Sequence, residues 1–349
     1  IYGNAVKNGA QIAVDEINAL GGTQLELKFE DDESDAEKSV NAYNSLKDWG
    51  MQVVLGSVTT QPCIAVSSES NSDRIFEITP SASSLDVVNG KDNVFQVCFT
   101  DPNQGVNAAK FLAQKYADEK FVLFYNSGDA YSSGIADAFK AQAAESKLEI
   151  VDEETFKDDS STSFTNQLTK AKQAGATMIF APIYYTPASV LLKNAKDMGY
   201  DVKMMGCDGM DGILGVEGFD TSLAEGLLLM TPFSADDEKN ADFVNAYKDK
   251  YGETPDQFAA DAYDVPHRGK DDELQHDASS EVFKYFVCSI CPVKAPTLEL
   301  RYDLDQSEFH SSSTGYIASP PELGFLYPAF DGRSANIYNC LLYTSDAAD

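Results

Sequence analysis

Hydroxyl, phenol and carboxyl side chains recur at strand-to-turn boundaries in this chain and sort into two chemically different sets. Thr59, Thr60, Ser81 and Ser83 lie in the turns Gly56-Ser57-Val58-Thr59-Thr60-Gln61-Pro62 and Thr79-Pro80-Ser81-Ala82-Ser83-Ser84. Small hydroxyls beside free backbone N–H groups are suited to binding a carboxylate. Tyr131, Tyr184 and Asp208 form the other set, in which a carboxylate suits an ammonium group and phenol rings suit an apolar side chain. A cleft closing on a zwitterion would present these groups.

Other chemistries lack their residues. No histidine precedes His267, so a Ser-His-acid triad or a histidine-ligated metal is not available upstream of it. Neither GxGxxG after a strand nor GxxxxGK[ST] occurs, which removes the usual dinucleotide and phosphate loops. Gly206-Cys207-Asp208-Gly209-Met210-Asp211-Gly212 lacks the acidic spacing and terminal Glu of a calcium loop. Alone, its glycines and acids read as a turn after a strand. Of the six cysteines, Cys288 and Cys291 form a single CxxC with no second pair or nearby His, which reads as small apolar residues at a strand-to-turn boundary. Glu322, Asp331 and Arg333 have a spacing that demands no chemistry. No catalytic residue, metal ligand or cofactor is therefore assigned, and the protein reads as a binder, not an enzyme.

The totals agree. A net charge of -30 repels nucleic acid and anionic membranes at long range, and its dispersal along the chain serves solubility. At 349 residues with 43% apolar content, the chain has enough to bury cores in two or three domains. No apolar run reaches the length of a membrane span, and the sequence opens at Ile1 with no signal peptide visible.

The elements that must position these side chains follow from periodicity. Val6, Ala10, Ala13, Val14 and Ile17 predict a helix over 4–20, stopped by Gly21-Gly22. Leu25, Leu27 and Phe29 alternate as a strand would, and Ser34 with Glu37 reads as a capping box opening the next helix. Short buried strands at 53–55 and 75–78 deliver the hydroxyl turns at their carboxyl ends, where ligands bind to an open parallel sheet. After Asp101-Pro102 the rhythm restarts: helix 104–116, strand 121–125, helix 134–145, strand 148–151, helix 164–174, strand 178–183, helix 188–198, strand 202–205, strand 227–230 and helix 242–251. The alternation predicts an α/β fold of two doubly wound parallel-sheet lobes.

The ordered stretches IYGNAVKNGAQIAVDEINALGG, VVLGSVTTQPC, ITPSAS, VFQVCFTDPNQG, AYSSG, PIYYTP, GCDGMDG and YKDKYGETPDQFAADAYD resemble the leucine/isoleucine/valine-binding group of bacterial ABC-importer solute-binding proteins, over residues 1–264. The resemblance implies the type I periplasmic-binding fold, with residues 1–101 and 233–264 in one lobe and 102–232 in the other. It implies a monomer outside the cytoplasm, periplasmic or lipid-anchored at the cell surface, that hands an amino acid or analogue to a membrane permease. By position it adds Tyr2 and Ser57 to the first ligand set, puts Asp101 where the chain crosses between lobes, and pairs Asp208 with the α-ammonium group. Met210 stands where members often carry Trp. A ligand-sensing regulator of the same fold is the near alternative, and a redox activity in the CxxC segment the distant one. The family starts with a strand before the first helix, of which Ile1-Tyr2 is the tail, so the lobe is expected to be truncated, with apolar faces and a sheet edge uncovered.

Asp261 to Asp271, DAYDVPHRGKD, ends the rhythm, with Pro266 opposing helix continuation. Residues 262–339, including CSICPVK, resemble an uncharacterised bacterial domain family, so 265–339 is expected to be an unrelated α+β fragment joined at Ala262-Tyr263-Asp264. Residues 340–349, CLLYTSDAAD, read as a translated sequencing adapter.

Overall fold

The computed structural model describes residues 1–21 and 24–267. These fall into an N-terminal unit, Tyr2–Phe99 together with the chain from Phe233, and a central unit, Thr100–Pro232 with Ile1. The expectations for His276, Cys288, Cys291, His310, Glu322, Asp331, Arg333 and the tail from Cys340 lie outside the described residues.

In the N-terminal unit α1 (Tyr2–Ala19) buries Val6, Ala10, Ala13, Val14 and Ile17, the stripe its periodicity requires. α2 (Ala36–Trp49) is capped by Asp35, whose carboxylate accepts from the Glu37 and Lys38 N–H groups, and not by Ser34, which sits at φ 55. An acidic cap one residue later satisfies two orphan donors, which displaces the hydroxyl. β1 (Val53–Leu55) leads to α3 (Thr60–Asp73) and β2 (Phe76–Thr79), and β3 (Val94–Gln96) completes a parallel sheet in the order β1-β2-β3.

The expected strand over Leu25, Leu27 and Phe29 joins no ladder among the described residues. Alternation puts Leu25 and Leu27 on one apolar side with Val14, Ile17 and Val53, but among the described residues no strand bonds to this backbone.

The central unit is wound from α4 (Asp101–Lys115), β4 (Lys120–Asn126), α5 (Ala130–Ser146), β5 (Glu149–Phe156), α6 (Thr165–Gln173), β6 (Met178–Ala181), α7 (Tyr185–Asp197), β7 (Lys203–Gly206) and β8 (Leu228–Leu229). The strands form one parallel sheet ordered β5-β4-β6-β7-β8. β4 is buried from Phe121 to Asn126 because helices cover both faces, whereas edge strand β5 exposes Glu149, Glu153 and Thr155. One core layer holds Phe121, Leu123, Phe139 and Phe180; the other holds Phe124, Phe156, Phe164 and Ile179. α4 and α5 pack so closely that a Cβ on Gly105 would lie 2.4 Å from the Ile135 carbonyl.

The chain then returns to the N-terminal unit as α8 (Ala241–Tyr251) and α9 (Gln257–His267). α9 lies on α1: the Tyr2 and Phe258 rings meet at a tilt with centroids 4.3 Å apart, Tyr263 donates to Glu16, and a Cβ on Gly9 would strike the Ala259 carbonyl at 2.0 Å. Pro266 stands in the last turn of α9, one residue before His267. It forfeits one N–H bond there, and its ring is buried.

Candidate functional site

In a parallel sheet the carboxyl ends of adjacent strands share one edge, and the loops leaving that edge converge. In the central unit β4, β6 and β7 are such neighbours. The loop after β4 starts α5 with Tyr131, the loop after β6 presents Tyr184 at the cap of α7, and β7 runs into a 3-10 turn, Asp208–Met210.

Ser132 fixes the first two loops against each other: its hydroxyl donates to the Pro182 carbonyl at 2.6 Å and accepts from the Asn126 N–H at 2.8 Å. Asp129 caps α5 by accepting from the Ser132 N–H, and burial pushes its carboxyl up to about 6.

Three of the residues singled out from sequence meet here. The Tyr131 hydroxyl donates to Asp208 Oδ1 at 2.7 Å and accepts from the Gly209 N–H at 2.9 Å. The rings of Tyr131 and Tyr184 stack with centroids 4.8 Å apart and planes 15° from parallel. Asp208 is 4% exposed and Tyr131 2%, while Tyr184 is half-buried.

Burial raises the Asp208 carboxyl to about 6, against the downward pull of Tyr131, Gln104 and the Gly209 N–H. Burial and the neighbouring Asp208 drive the Tyr131 phenol well above its ordinary range, so it stays a donor.

Sequence reading missed Gln104, whose side-chain oxygen accepts from the Asp208 N–H at 3.3 Å, and also missed Gly209 and Ser132. Gly209 had a signal: a Cβ there would lie 2.6 Å from the Tyr131 hydroxyl, so the Asp-Gly pair records a close approach as well as a turn. Asp101 opens α4, 1% exposed, and Gly134 of α5 leaves it room, since a Cβ there would sit 3.1 Å from its carboxylate. Met210, considered as a pocket wall, is fully buried in the core and packs under Gly206.

The hydroxyl set belongs to the N-terminal unit, where several members bind their own loops. Thr79 Oγ1 donates to the Ser57 carbonyl at 2.7 Å and accepts from the Ala82 N–H; Ser81 Oγ donates to the Val58 carbonyl at 2.7 Å. Thr60 and Ser83 are each 1% exposed. Thr59 caps α3 without a side-chain bond to it, and its buried Oγ1 has no hydrogen-bond partner among the described residues. Tyr2 is 7% exposed on Phe258 and acts there in the packing of α1 on α9.

Among the described residues no group of three His, Cys, Asp or Glu is placed to hold a metal, and no helix is long and apolar enough to cross a membrane. Cys63, Cys98 and Cys207 are buried and form no disulfide among the described residues.

Comparison with known proteins gives two matches: residues 1–265 to the periplasmic binding protein family, and residues 228–349 to a domain of unknown function, DUF4317. The chain is 31% identical over 213 residues to the Leu/Ile/Val-binding protein homolog 3 of Brucella melitensis, covering 60% of this chain and 57% of that protein. It is 28% identical to the leucine-, isoleucine-, valine-, threonine- and alanine-binding protein of Pseudomonas aeruginosa, covering 75% and 71%. The chain thus spans less than two thirds of the Brucella relative. The crystal structure of a branched-chain amino acid transporter substrate-binding protein from Streptococcus pneumoniae, in complex with isoleucine, superimposes with a TM-score of 0.70 at 32% identity, covering 75% of this chain and 76% of that one.

Proposed function

Because the chain belongs to the periplasmic binding protein family, we propose that it is the solute-binding component of an ABC importer and that its solute is an α-amino acid with an aliphatic side chain. The observation that carries this reading is the buried Asp208 carboxyl held by Tyr131 beside the Tyr131–Tyr184 ring stack. A buried carboxylate is costly unless a cation meets it, and an α-ammonium group is such a cation. The half-buried ring of Tyr184 offers apolar surface to a side chain. Thr59 Oγ1 and the hydroxyls of Ser57, Thr60, Ser81 and Ser83 are donors of the kind a carboxylate takes. The relatives named for leucine, isoleucine and valine support the aliphatic class.

In this reading the protein works outside the cytoplasm as a monomer, lipid-anchored or periplasmic, and delivers its solute to a membrane permease. Light scattering tests the first part, since a stable dimer contradicts a monomer. The family is one of binding proteins and gives no ground for an enzymatic role.

Calorimetry with leucine, isoleucine, valine and their des-amino analogues tests the solute. Saturable binding of an amino acid, lost with its des-amino analogue, is expected. Binding to no α-amino acid overturns the assignment. A bound ligand at a hundred times its Kd also adds about 2.7 kcal/mol of stability, which a thermal melt reads.

The overlap of the two family matches at 228–265 supports a second element of the proposal, that the chain joins two unrelated segments near Ala262-Tyr263-Asp264. Amplification across that position from source DNA decides it: a continuous natural gene with this junction contradicts the join.

A further inference from the structure

Two Asn-Gly pairs occur in the sequence, Asn8-Gly9 and Asn89-Gly90, and the fold treats them oppositely. In such a pair the backbone nitrogen after the asparagine can reach the side-chain amide carbon, because glycine has no Cβ to block the approach. Reaction needs a main-chain N–H that is not already bonded, a side-chain amide that nothing holds, and a backbone free to bend.

Asn8-Gly9 meets none of these conditions. It lies inside α1, where the Gly9 N–H belongs to the helical ladder. The Asn8 side chain donates to the Tyr247 hydroxyl at 3.2 Å, and Gly9 is pressed against α9, with the Ala259 carbonyl 2.0 Å from where a Cβ would stand.

Asn89-Gly90 meets all three. The pair is the centre of a turn between the hydroxyl loop after β2 and strand β3, closed by the Lys91 N–H donating to the Val88 carbonyl at 3.0 Å. A four-residue turn of this kind does not use the N–H of its third residue. The Gly90 N–H and the Asn89 side chain accordingly make no hydrogen bond among the described residues. Both residues are exposed, a Cβ on Gly90 would meet nothing within 4 Å, and Gly90 sits at φ 76, a conformation glycine enters and leaves readily.

We propose that Asn89 is a site of spontaneous covalent modification, converted through a cyclic imide to aspartate and isoaspartate with water as the co-reactant. The Gly90 nitrogen bonds to Asn89 Cγ as the Cγ–Nδ2 bond breaks, and the Gly90 proton leaves with Nδ2 as ammonia. Water then opens the imide at either carbonyl. One opening gives aspartate in the original chain; the other gives isoaspartate, whose main chain runs through Cβ and Cγ. Either product adds a negative charge two residues from Lys91, whose Nζ donates to the Asp86 and Val87 carbonyls at 2.7 and 2.9 Å and so ties the same turn. Isoaspartate also lengthens the backbone inside the loop that Lys91 closes, so the modified protein is expected to unfold at a lower urea concentration. The inference rests on this turn and not on the identity of the solute.

The experiment ages the full chain at pH 8, folded and in denaturing urea, and follows both Asn-Gly peptides by proteolysis, chromatography and mass spectrometry. In the folded protein Asn89 is expected to convert at least tenfold faster than Asn8. In urea the two are expected to convert at similar rates, since only the fold separates them. Isoaspartate is expected beside aspartate at residue 89, and Asn89→Gln, whose longer side chain must close a larger ring, is expected to suppress the conversion. Equal rates in the folded protein overturn the proposal, as does an Asn89 that stays intact while the chain is folded. A product that is aspartate alone also overturns it, since direct hydrolysis without the imide is then the route.

Discussion

Converting Asp208 to Asn separates what the buried carboxyl does for binding from what it costs the fold. The carboxyl is raised from 3.8 to about 6 by burial. A solute ammonium group needs it ionised, so in the proposed role affinity is constant above about pH 7 and falls about tenfold per pH unit below 6. At pH 4 that amounts to about 100-fold, or ~2.7 kcal/mol.

Calorimetry from pH 8 to 4.5, in buffers of different ionisation enthalpy, reads both the affinity and the proton released by Asp208 on binding. Asp208→Asn keeps an acceptor for Tyr131 but removes the charge, and is expected to weaken binding by about 2–5 kcal/mol, roughly 30- to several-thousand-fold, and to abolish the pH slope. In the empty protein the sign reverses. A carboxyl whose folded value lies above its unfolded value favours folding at low pH, and that contribution is lost as pH rises from 3.8 through about 6. The neutral variant is therefore more stable than wild type at pH 8, by up to about 3 kcal/mol, and no more stable at pH 3.5. A Kd independent of pH, or a variant that binds as tightly as wild type, refutes the reasoning.

Other predictions concern the supports of the two units. Glu77, fully buried in β2, accepts from Cys63 Sγ at 3.4 Å and from the Ser70 hydroxyl, and burial lifts it to about 7. Glu77→Gln is expected to stabilise the N-terminal unit at pH 8 by up to about 3 kcal/mol and to have no such effect at pH 4, measured by urea unfolding at both. Gly209→Ala drives a methyl group into the Tyr131 hydroxyl, displacing the phenol from Asp208, and is expected to weaken solute binding at least tenfold at a stability cost of about 1–3 kcal/mol, read by calorimetry and denaturation. Phe180, fully buried and stacked on Phe139 at 4.0 Å, is expected to cost the central unit about 3–5 kcal/mol on truncation to Ala, seen as a lower denaturation midpoint.

Periodicity carried most of the fold because each element buries one face. The stripe of α1 and the unbroken apolar run of β4 state their surroundings without reference to distant residues. Where an element depends on a neighbour, sequence alone was insufficient. Leu25, Leu27 and Phe29 alternate as a strand does, yet a strand exists only when another backbone bonds to it. Gln104 and Ser132 stayed invisible because an amide or a hydroxyl in a helix is commonplace, and only the tertiary fold shows which loop it holds.

The two sets of candidate residues differ in legibility for a reason rooted in desolvation. A serine or threonine hydroxyl finds a backbone carbonyl or N–H almost anywhere, as Ser81 does at Val58 and Thr79 at Ser57, so a hydroxyl-rich turn satisfies itself as readily as it awaits a ligand. A carboxylate has no such freedom. Burying Asp208 costs enough to raise its carboxyl to about 6 even with hydrogen bonds from Tyr131 and the Gly209 N–H, and unlike Glu77, held inside its own unit by Ser70 and Cys63, it stands beside the Tyr131–Tyr184 stack, where a solute cation would offset that cost. The acid at the end of β7 therefore carries more functional information than all the hydroxyls of the N-terminal unit. Among those hydroxyls Thr59 is the one to test, since its buried Oγ1 has no hydrogen-bond partner among the described residues. Thr59→Val keeps its shape and removes its polarity, so it is expected to leave the urea midpoint unchanged or raised while weakening the binding of an amino acid about fivefold or more. An unchanged Kd would leave the solute carboxylate to other donors.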